Sequence, residues 1–175
     1  VHGMEAGEPP EIDWEREVAV HSSVRRAIEE GFVHSAHDCS EGGLAAALAE
    51  CCIAGEQPLG AEVDLNACGC PDECEEAIRP DSLLFGESQS RIVISVPAER
   101  AQEVLAIAEE EGAPAAVIGR VRGDRLAIGI EGEDAIDLPV ERLHELWDKG
   151  FEAIMAPAPR TGGRPAGSDR KKGKR

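Results

Sequence analysis

Residues 35 to 50 read SAHDCSEGGLAAALAE, and how this stretch is parsed decides the rest of the chain. Positions 38 to 43 hold an acid, a thiol, a hydroxyl, a second acid and two glycines, after which the sequence turns into an alanine and leucine run. The preceding FVHSAH is short and mixes β-formers with small residues, so the order is strand, loop, helix. Leu44, Leu48, Cys51 and Cys52 fall on one helical face, and Gly55 marks where the helix stops. Asp38 then stands at the strand exit and Ser40 at the helix opening, with Gly42 and Gly43 leaving first-turn amides open to approach. Unpaired N–H groups and the positive end of the helix dipole suit an anion such as a phosphate. A neighbouring carboxylate suits Mg²⁺, which keeps several waters and bridges one or two protein carboxylates to substrate phosphates. The plainer alternative is that Asp38 or Ser40 only caps the helix, worth about 1 kcal/mol. His37 is open in the same way, between a hydrogen-bonded structural residue and a catalyst.

Upstream, Asp13 can cap a helix of about four turns, with apolar positions Trp14, Val18, His21, Val24 and Ile28 and Gly31 as its terminator. Downstream, AEVDL alternates as a strand, and 66–81 is polar and without periodicity. RIVISV is a near-continuous β run of the kind buried on both faces, ended by Pro97. Val104, Leu105 and Ala108 give a helix closed by Gly112. AAVIGRV, DRLAIGI and DAIDLPV are three strands joined by Gly and Asp turns, and Val140, Leu143, Trp147, Phe151 and Ile154 mark a last helix. The expected fold class is α+β, a mixed β-sheet packed with helices.

Composition narrows the function classes. The 175 residues are 42% hydrophobic with a net charge of −17. Residues 160–175 carry seven Lys or Arg against Asp169 alone, so the remainder has 34 acids against 11 bases, a net −23. A body this acidic repels a phosphate backbone, so no nucleic-acid partner is expected. The tail RTGGRPAGSDRKKGKR has the composition of a solvated, disordered end, although it could also touch an anionic partner. No apolar run approaches the ~20 residues of a membrane span, and the start VHGMEAGEPP lacks the basic and apolar regions of a signal peptide, so a cytoplasmic protein with no membrane partner is expected. Beginning on Val1 and a Pro-rich loop suggests a piece of a longer chain.

A second polar cluster, LFGESQSR at 84–91, crowds the entry to the RIVISV strand. Glu87, Ser88, Gln89, Ser90 and Arg91 offer a carboxylate, hydroxyls, an amide and a guanidinium, a set able to grip a polar substrate such as a ribose phosphate. A strand lead-in with local turn hydrogen bonds is the competing explanation.

Taken together, SAHDCSEGGLAAALAE, LFGESQSRIVISV, GRV with DRLAI, and LHELWDKGFEAIM resemble the C-terminal end of the synthetase subunit of the phosphoribosylformylglycinamidine synthase family, over about residues 8 to 155. GESQSR separates this family from its relatives better than the widely shared HD.S.GG pattern does. The resemblance implies the C-terminal-domain fold of the aminoimidazole ribonucleotide synthetase superfamily for 13–156, with 1–12 a linker from a missing N-terminal portion and 157–175 a disordered basic tail. It implies a subunit with two such domain pairs in pseudo-twofold array, of which this is the second C-terminal domain. It also implies a ligase that uses ATP and Mg²⁺ to convert formylglycinamide ribonucleotide and glutamine-derived ammonia to the amidine, ADP and phosphate. By the same resemblance Asp38 holds the metal and Ser40 contacts the nucleotide, and the open first-turn amides add Gly42 and Gly43 to the expected nucleotide-binding set. Glu87, Ser88, Gln89 and Arg91 form a substrate or pseudo-substrate site. The family's catalytic histidine and ATP-gripping lysine have no counterpart here, so the piece alone is expected to be inactive. The implied partners are the rest of the synthetase chain, a glutaminase subunit and a small accessory subunit.

Two alternatives stand beside this. One is the C-terminal domain of a thiamine monophosphate kinase or hydrogenase-maturation relative; the other is a non-catalytic binding or oligomerisation module. Six cysteines occupy 39, 51, 52, 68, 70 and 74, and a cytosolic enzyme keeps them reduced. Cys68, Cys70 and Cys74 in CGCPDEC, which the family does not generally show, could bind zinc with three thiolates, but a structural site wants four ligands, and a chance loop insertion is the alternative.

Overall fold

The computed structural model describes residues 10–55, 57–67 and 78–155. Among these residues five α-helices and six strands follow in the order α1 (Trp14–Glu29), β1 (Ser35–Asp38), α2 (Gly43–Ile53), β2 (Ala61–Asp64), α3 (Pro80–Phe85), β3 (Ile92–Ser95), α4 (Ala101–Glu111), β4 (Gly119–Val121), β5 (Arg125–Ile130), β6 (Glu133–Pro139) and α5 (Val140–Met155). The expected α+β class holds. Four strands form a mixed sheet in the order β4-β2-β5-β6, in which β2 and β5 run parallel and the other two pairs antiparallel. The remaining two, β1 and β3, form a separate antiparallel ribbon that sets Asp38 opposite Ile92.

Helix α2 ties these layers together. It is almost entirely Ala, Leu and Cys, so it can be buried on several sides. Leu44, Ala45, Ala47, Leu48 and Cys52 join Ala61 and Val63 of β2, Leu126 and Ile128 of β5, Leu84 of α3 and Val140 of α5 in one core. β2 alternates buried and exposed residues, as AEVDL predicts. The two cysteines of this core are disfavoured as thiolates: burial pushes the Cys39 thiol up and that of Cys52 up to about 11, and half-buried Cys51 is pushed up likewise. Iodoacetamide at pH 7.5 is therefore expected to leave Cys39 and Cys52 unmodified in the folded protein and to label both after urea unfolding, as peptide mapping would show. Rapid labelling of native Cys52 would contradict its packing.

Several expectations need correction. Asp13 does cap α1, accepting the Arg16 amide at 3.0 Å, and Gly31 follows it with φ 74°. The buried face of α1, however, is Val20, Ser23 and Ala27, packed toward Ala108 and Ala113, while Trp14, Val18 and Ile28 are exposed. Small residues let α1 and α4 approach closely, and the larger side chains point the other way. The strand RIVISV is half-buried along its length, because its only partner among the described residues is β1 and it has no second layer over both faces. At the two ends of the polar, aperiodic segment 66–81 stand a turn of 3₁₀-helix at Leu65–Ala67 and the start of α3 at Pro80. Pro80 occupies the first helical turn, where its missing N–H costs nothing. Cys68, Cys70 and Cys74 lie outside the described residues, as does the basic tail. Helix α5 exists as expected, yet only its first turn is inside: Val140 is buried and Leu143 half-buried, whereas Trp147, Phe151 and Ile154 are exposed. No helix among the described residues is long and apolar enough to cross a membrane.

Candidate functional site

The ribbon and α2 meet where the two polar clusters converge. Asp38 ends β1, and its side chain is 70% exposed, with His37 Nδ1 at 3.8 Å from Oδ1. Ser40 is exposed as well, but α2 does not begin there. Gly42 and Gly43 have φ of 80° and 67°, in the left-handed region, so the chain completes a turn before the helix starts. Ser40 contributes its backbone carbonyl, which accepts the Gly43 amide at 3.1 Å, and no side chain caps α2. Neither capping by Ser40 or Asp38 nor fully open Gly42 and Gly43 amides describes this turn.

The Gly42 amide instead donates to Glu87 Oε1 at 2.8 Å. This one hydrogen bond spans 45 positions and brings GESQSR onto the SAHDCSEGG turn. A carboxylate at a helix start is favoured by the same dipole that would favour a phosphate. Gly43 is buried against the end of α3, where a Cβ would lie 2.7 Å from the Gly86 carbonyl oxygen. Its place is thus in the packing of α2 on α3. Glu87, Ser88 and Gln89 are exposed.

Arg91 faces the fold. Its guanidinium donates to the carbonyls of Gly86 at 3.0 Å and Leu83 at 2.8 Å, satisfying the C-terminal end of α3. Two of its five N–H donors are committed to holding the GESQSR loop, which the sequence expectation of a ligand contact did not anticipate. Ser90 adopts φ 61°, uncommon for a residue with a Cβ, and its hydroxyl donates to Glu17 of α1.

The sequence did not point to Glu50. His37 Nε2 lies 2.8 Å from Glu50 Oε2, and His37 Nδ1 lies 2.7 Å from the Asp38 carbonyl oxygen. The hydrogen bond to that carbonyl, opposed by burial and helped by Glu50, raises the His37 pKa. One signal was present: Glu50 is the only charged residue in GLAAALAECCI. A charge kept in so apolar a helix calls for a partner.

The donor set fits magnesium in a particular way. No cluster of three or more His, Cys, Asp or Glu able to hold a metal exists among the described residues. An outward carboxylate beside a polar turn matches an ion carried mainly by nucleotide phosphates and water, with Asp38 adding one oxygen. Elsewhere, Glu62, Arg122, Asp124, Arg125, Asp134 and Asp137 line a shallow depression on the four-stranded sheet. Within it Arg125 pairs with Asp137 at 2.7 Å and Arg122 with Glu62 at 3.2 Å, and Asp124 and Asp134 add two further carboxylates.

Comparison with known proteins gives the chain's family. Residues 1–131 match the family model described as AIR synthase related protein, C-terminal domain. The chain is 46% identical over 154 residues to the phosphoribosylformylglycinamidine synthase subunit PurL of Anaeromyxobacter dehalogenans, covering 88% of this chain and 20% of that protein. Among solved structures it is similar to Thermotoga maritima PurL complexed with ATP, at 25% identity and a TM-score of 0.62, over 71% of this chain and 21% of that one. It is likewise similar to a chain in the structure of PurLQS from the same organism, at 25% identity and a TM-score of 0.64, over 81% of this chain and 23% of that one. The chain therefore spans about a fifth of the length of the relatives it matches. On the extent of the match, this chain belongs to the family of AIR synthase related proteins, C-terminal domain.

Proposed function

We propose that this chain is the C-terminal part of a phosphoribosylformylglycinamidine synthase synthetase subunit, a cytoplasmic ligase of purine biosynthesis. In that subunit residues 13–156 form one C-terminal domain, which closes one side of a nucleotide site. The observation that carries the proposal is the Glu87–Gly42 hydrogen bond, which joins the two polar clusters beside an outward Asp38. The ATP complex of the T. maritima relative supports a nucleotide ligand.

Within this reading Asp38 offers a carboxylate oxygen to Mg²⁺, Ser40 contacts the nucleotide, and Gly42 and Gly43 shape the turn between them. Glu87, Ser88 and Gln89 present polar groups to a substrate or pseudo-substrate, and Arg91 fixes the loop that carries them. A magnesium ion held there by Asp38 would supply neutralisation of phosphate charge on the bound nucleotide. The catalytic histidine and the ATP-gripping lysine belong to the rest of the synthetase chain, and the glutaminase and small accessory subunits are the further partners.

Magnitudes support a shared site. A helix terminus contributes up to ~2 kcal/mol toward an anion, whereas micromolar binding requires about 8 kcal/mol. Neighbouring domains must supply the difference, so this piece by itself is expected to form no amidine.

In the full-length subunit, Asp38→Ala is expected to weaken nucleotide binding in Mg²⁺ about tenfold, equivalent to ~1.4 kcal/mol. Equilibrium binding and the nucleotide content of the purified protein measure it. Unchanged affinity, content and thermal stability would remove Asp38 from the site.

A further inference from the structure

The peptide that follows Asp38 is gripped at both of its polar atoms. Its carbonyl oxygen lies 2.7 Å from His37 Nδ1, and its N–H, that of Cys39, donates to the Arg91 carbonyl at 2.8 Å. The second grip continues the β1–β3 ladder. The first is a side-chain device, because His37 is itself held by Glu50 of α2 at 2.8 Å through its other ring nitrogen. The two side chains are 29% and 31% exposed, enough withdrawn from water that each depends on the other. A single imidazole thus ties the end of β1 to the body of α2.

Fixing both ends of a peptide group fixes the ψ angle of the residue before it, and backbone angles decide which side-chain rotamers are open. Asp38 has an exposed carboxylate whose nearest charged group is His37, at 3.8 Å. With so little holding the carboxylate itself, its direction is set through the backbone.

We propose that His37 and Glu50 are positioning residues: the pair aims the Asp38 carboxylate, and the aim sets the affinity of the site for a divalent cation. This rests on the reading of Asp38 as the metal carboxylate. Outer partners of metal ligands act in this manner, and their loss weakens metal binding by roughly 10- to 100-fold. The lower end applies here, since the brace acts through one peptide and most of the cation's ligands are phosphates and waters.

The test uses the full-length synthetase subunit and follows the Mg²⁺ concentration that half-saturates nucleotide binding, alongside thermal melting. His37→Ala and Glu50→Ala are each expected to raise that midpoint about tenfold. The double variant should be no worse than either single one, because both break the same brace. Glu50→Gln keeps an oxygen that can accept the Nε2 proton and should restore most of the wild-type midpoint. A purely structural pair would instead move the midpoint only as far as melting falls, matching a core variant of equal stability such as Cys52→Ala, and that result overturns the proposal. So does an unshifted midpoint in both single variants, or strictly additive effects in the double. Should His37→Ala fail to fold, Glu50→Ala against Glu50→Gln makes the same comparison. Asp38→Ala, run in parallel, separates the two levels: if it shifts the midpoint and the His37 and Glu50 variants do not, only the brace fails, and if it too is silent, the metal reading of Asp38 fails with it.

Discussion

Gly43→Ala is expected to destabilise the protein by about 3 kcal/mol, combining a left-handed backbone cost of roughly 1–2 kcal/mol with an overpacking cost of similar size. Gly43 has φ 67°, and an added Cβ would stand 2.7 Å from the Gly86 oxygen, 2.8 Å from the Phe85 carbonyl carbon and 2.9 Å from the Leu84 oxygen. All three are backbone atoms at the end of α3, and none can swing aside as a flexible side chain could. Relief requires α2 and α3 to separate, and Gly86 immediately precedes Glu87. The substitution should therefore also break the Glu87–Gly42 hydrogen bond and disorganise the proposed site. Gly112→Ala is the control: its φ is 77°, but nothing lies within 4 Å of the added carbon, so only the same backbone cost of roughly 1–2 kcal/mol applies. Urea denaturation of both variants gives the comparison. Equal losses would mean that α2 and α3 do not approach as closely as described.

Ile128→Ala is expected to cost a comparable 2–5 kcal/mol, through lost burial and the cavity left behind. Ile128 is 0% exposed in β5, between β2 and β6, and its surroundings are Ala, Leu and Val side chains on elements fixed by the sheet. Such a site collapses poorly. Ile154→Ala removes the same atoms from a position 83% exposed and should change stability by less than about 0.5 kcal/mol. A chemical-denaturation difference below 1 kcal/mol between the two variants, taken as an order-of-magnitude threshold against those ranges, would show that the core is not centred on β5.

Local signals in the sequence carried most of the fold. Asp13 capping α1, Gly112 ending α4, the alternation in AEVDL and the turns joining β4, β5 and β6 all act over a few residues, and each is visible in the sequence alone. The buried face of α1 was not visible, because helix contact there is decided by the small side chains of Ser23 and Ala27 and not by the large apolar ones. The site divides along the same line. Asp38 and the GESQSR cluster stand out by residue type, but their meeting depends on a hydrogen bond from Gly42 to Glu87. The His37–Glu50 contact depends on how α2 leans on β1. Pairings between distant positions leave no periodic trace, and Arg91 adds a case that residue type does not reveal: two N–H groups of a guanidinium suited to a ligand hold the carbonyls of Leu83 and Gly86.

The outward stripe of α5 has a practical consequence. Trp147, Phe151, Ile154 and Met155 are more than half exposed and carry on, beyond the first turn, the face of the helix that Val140 anchors. Produced as a separate polypeptide, such a domain would be sticky: it should precipitate on concentration and be retained by chaperones that sense greasy ridges. On the proposed reading, co-expression with the flanking parts of the subunit is the remedy, and the yield of clear protein with and without them measures how much of that stripe they cover.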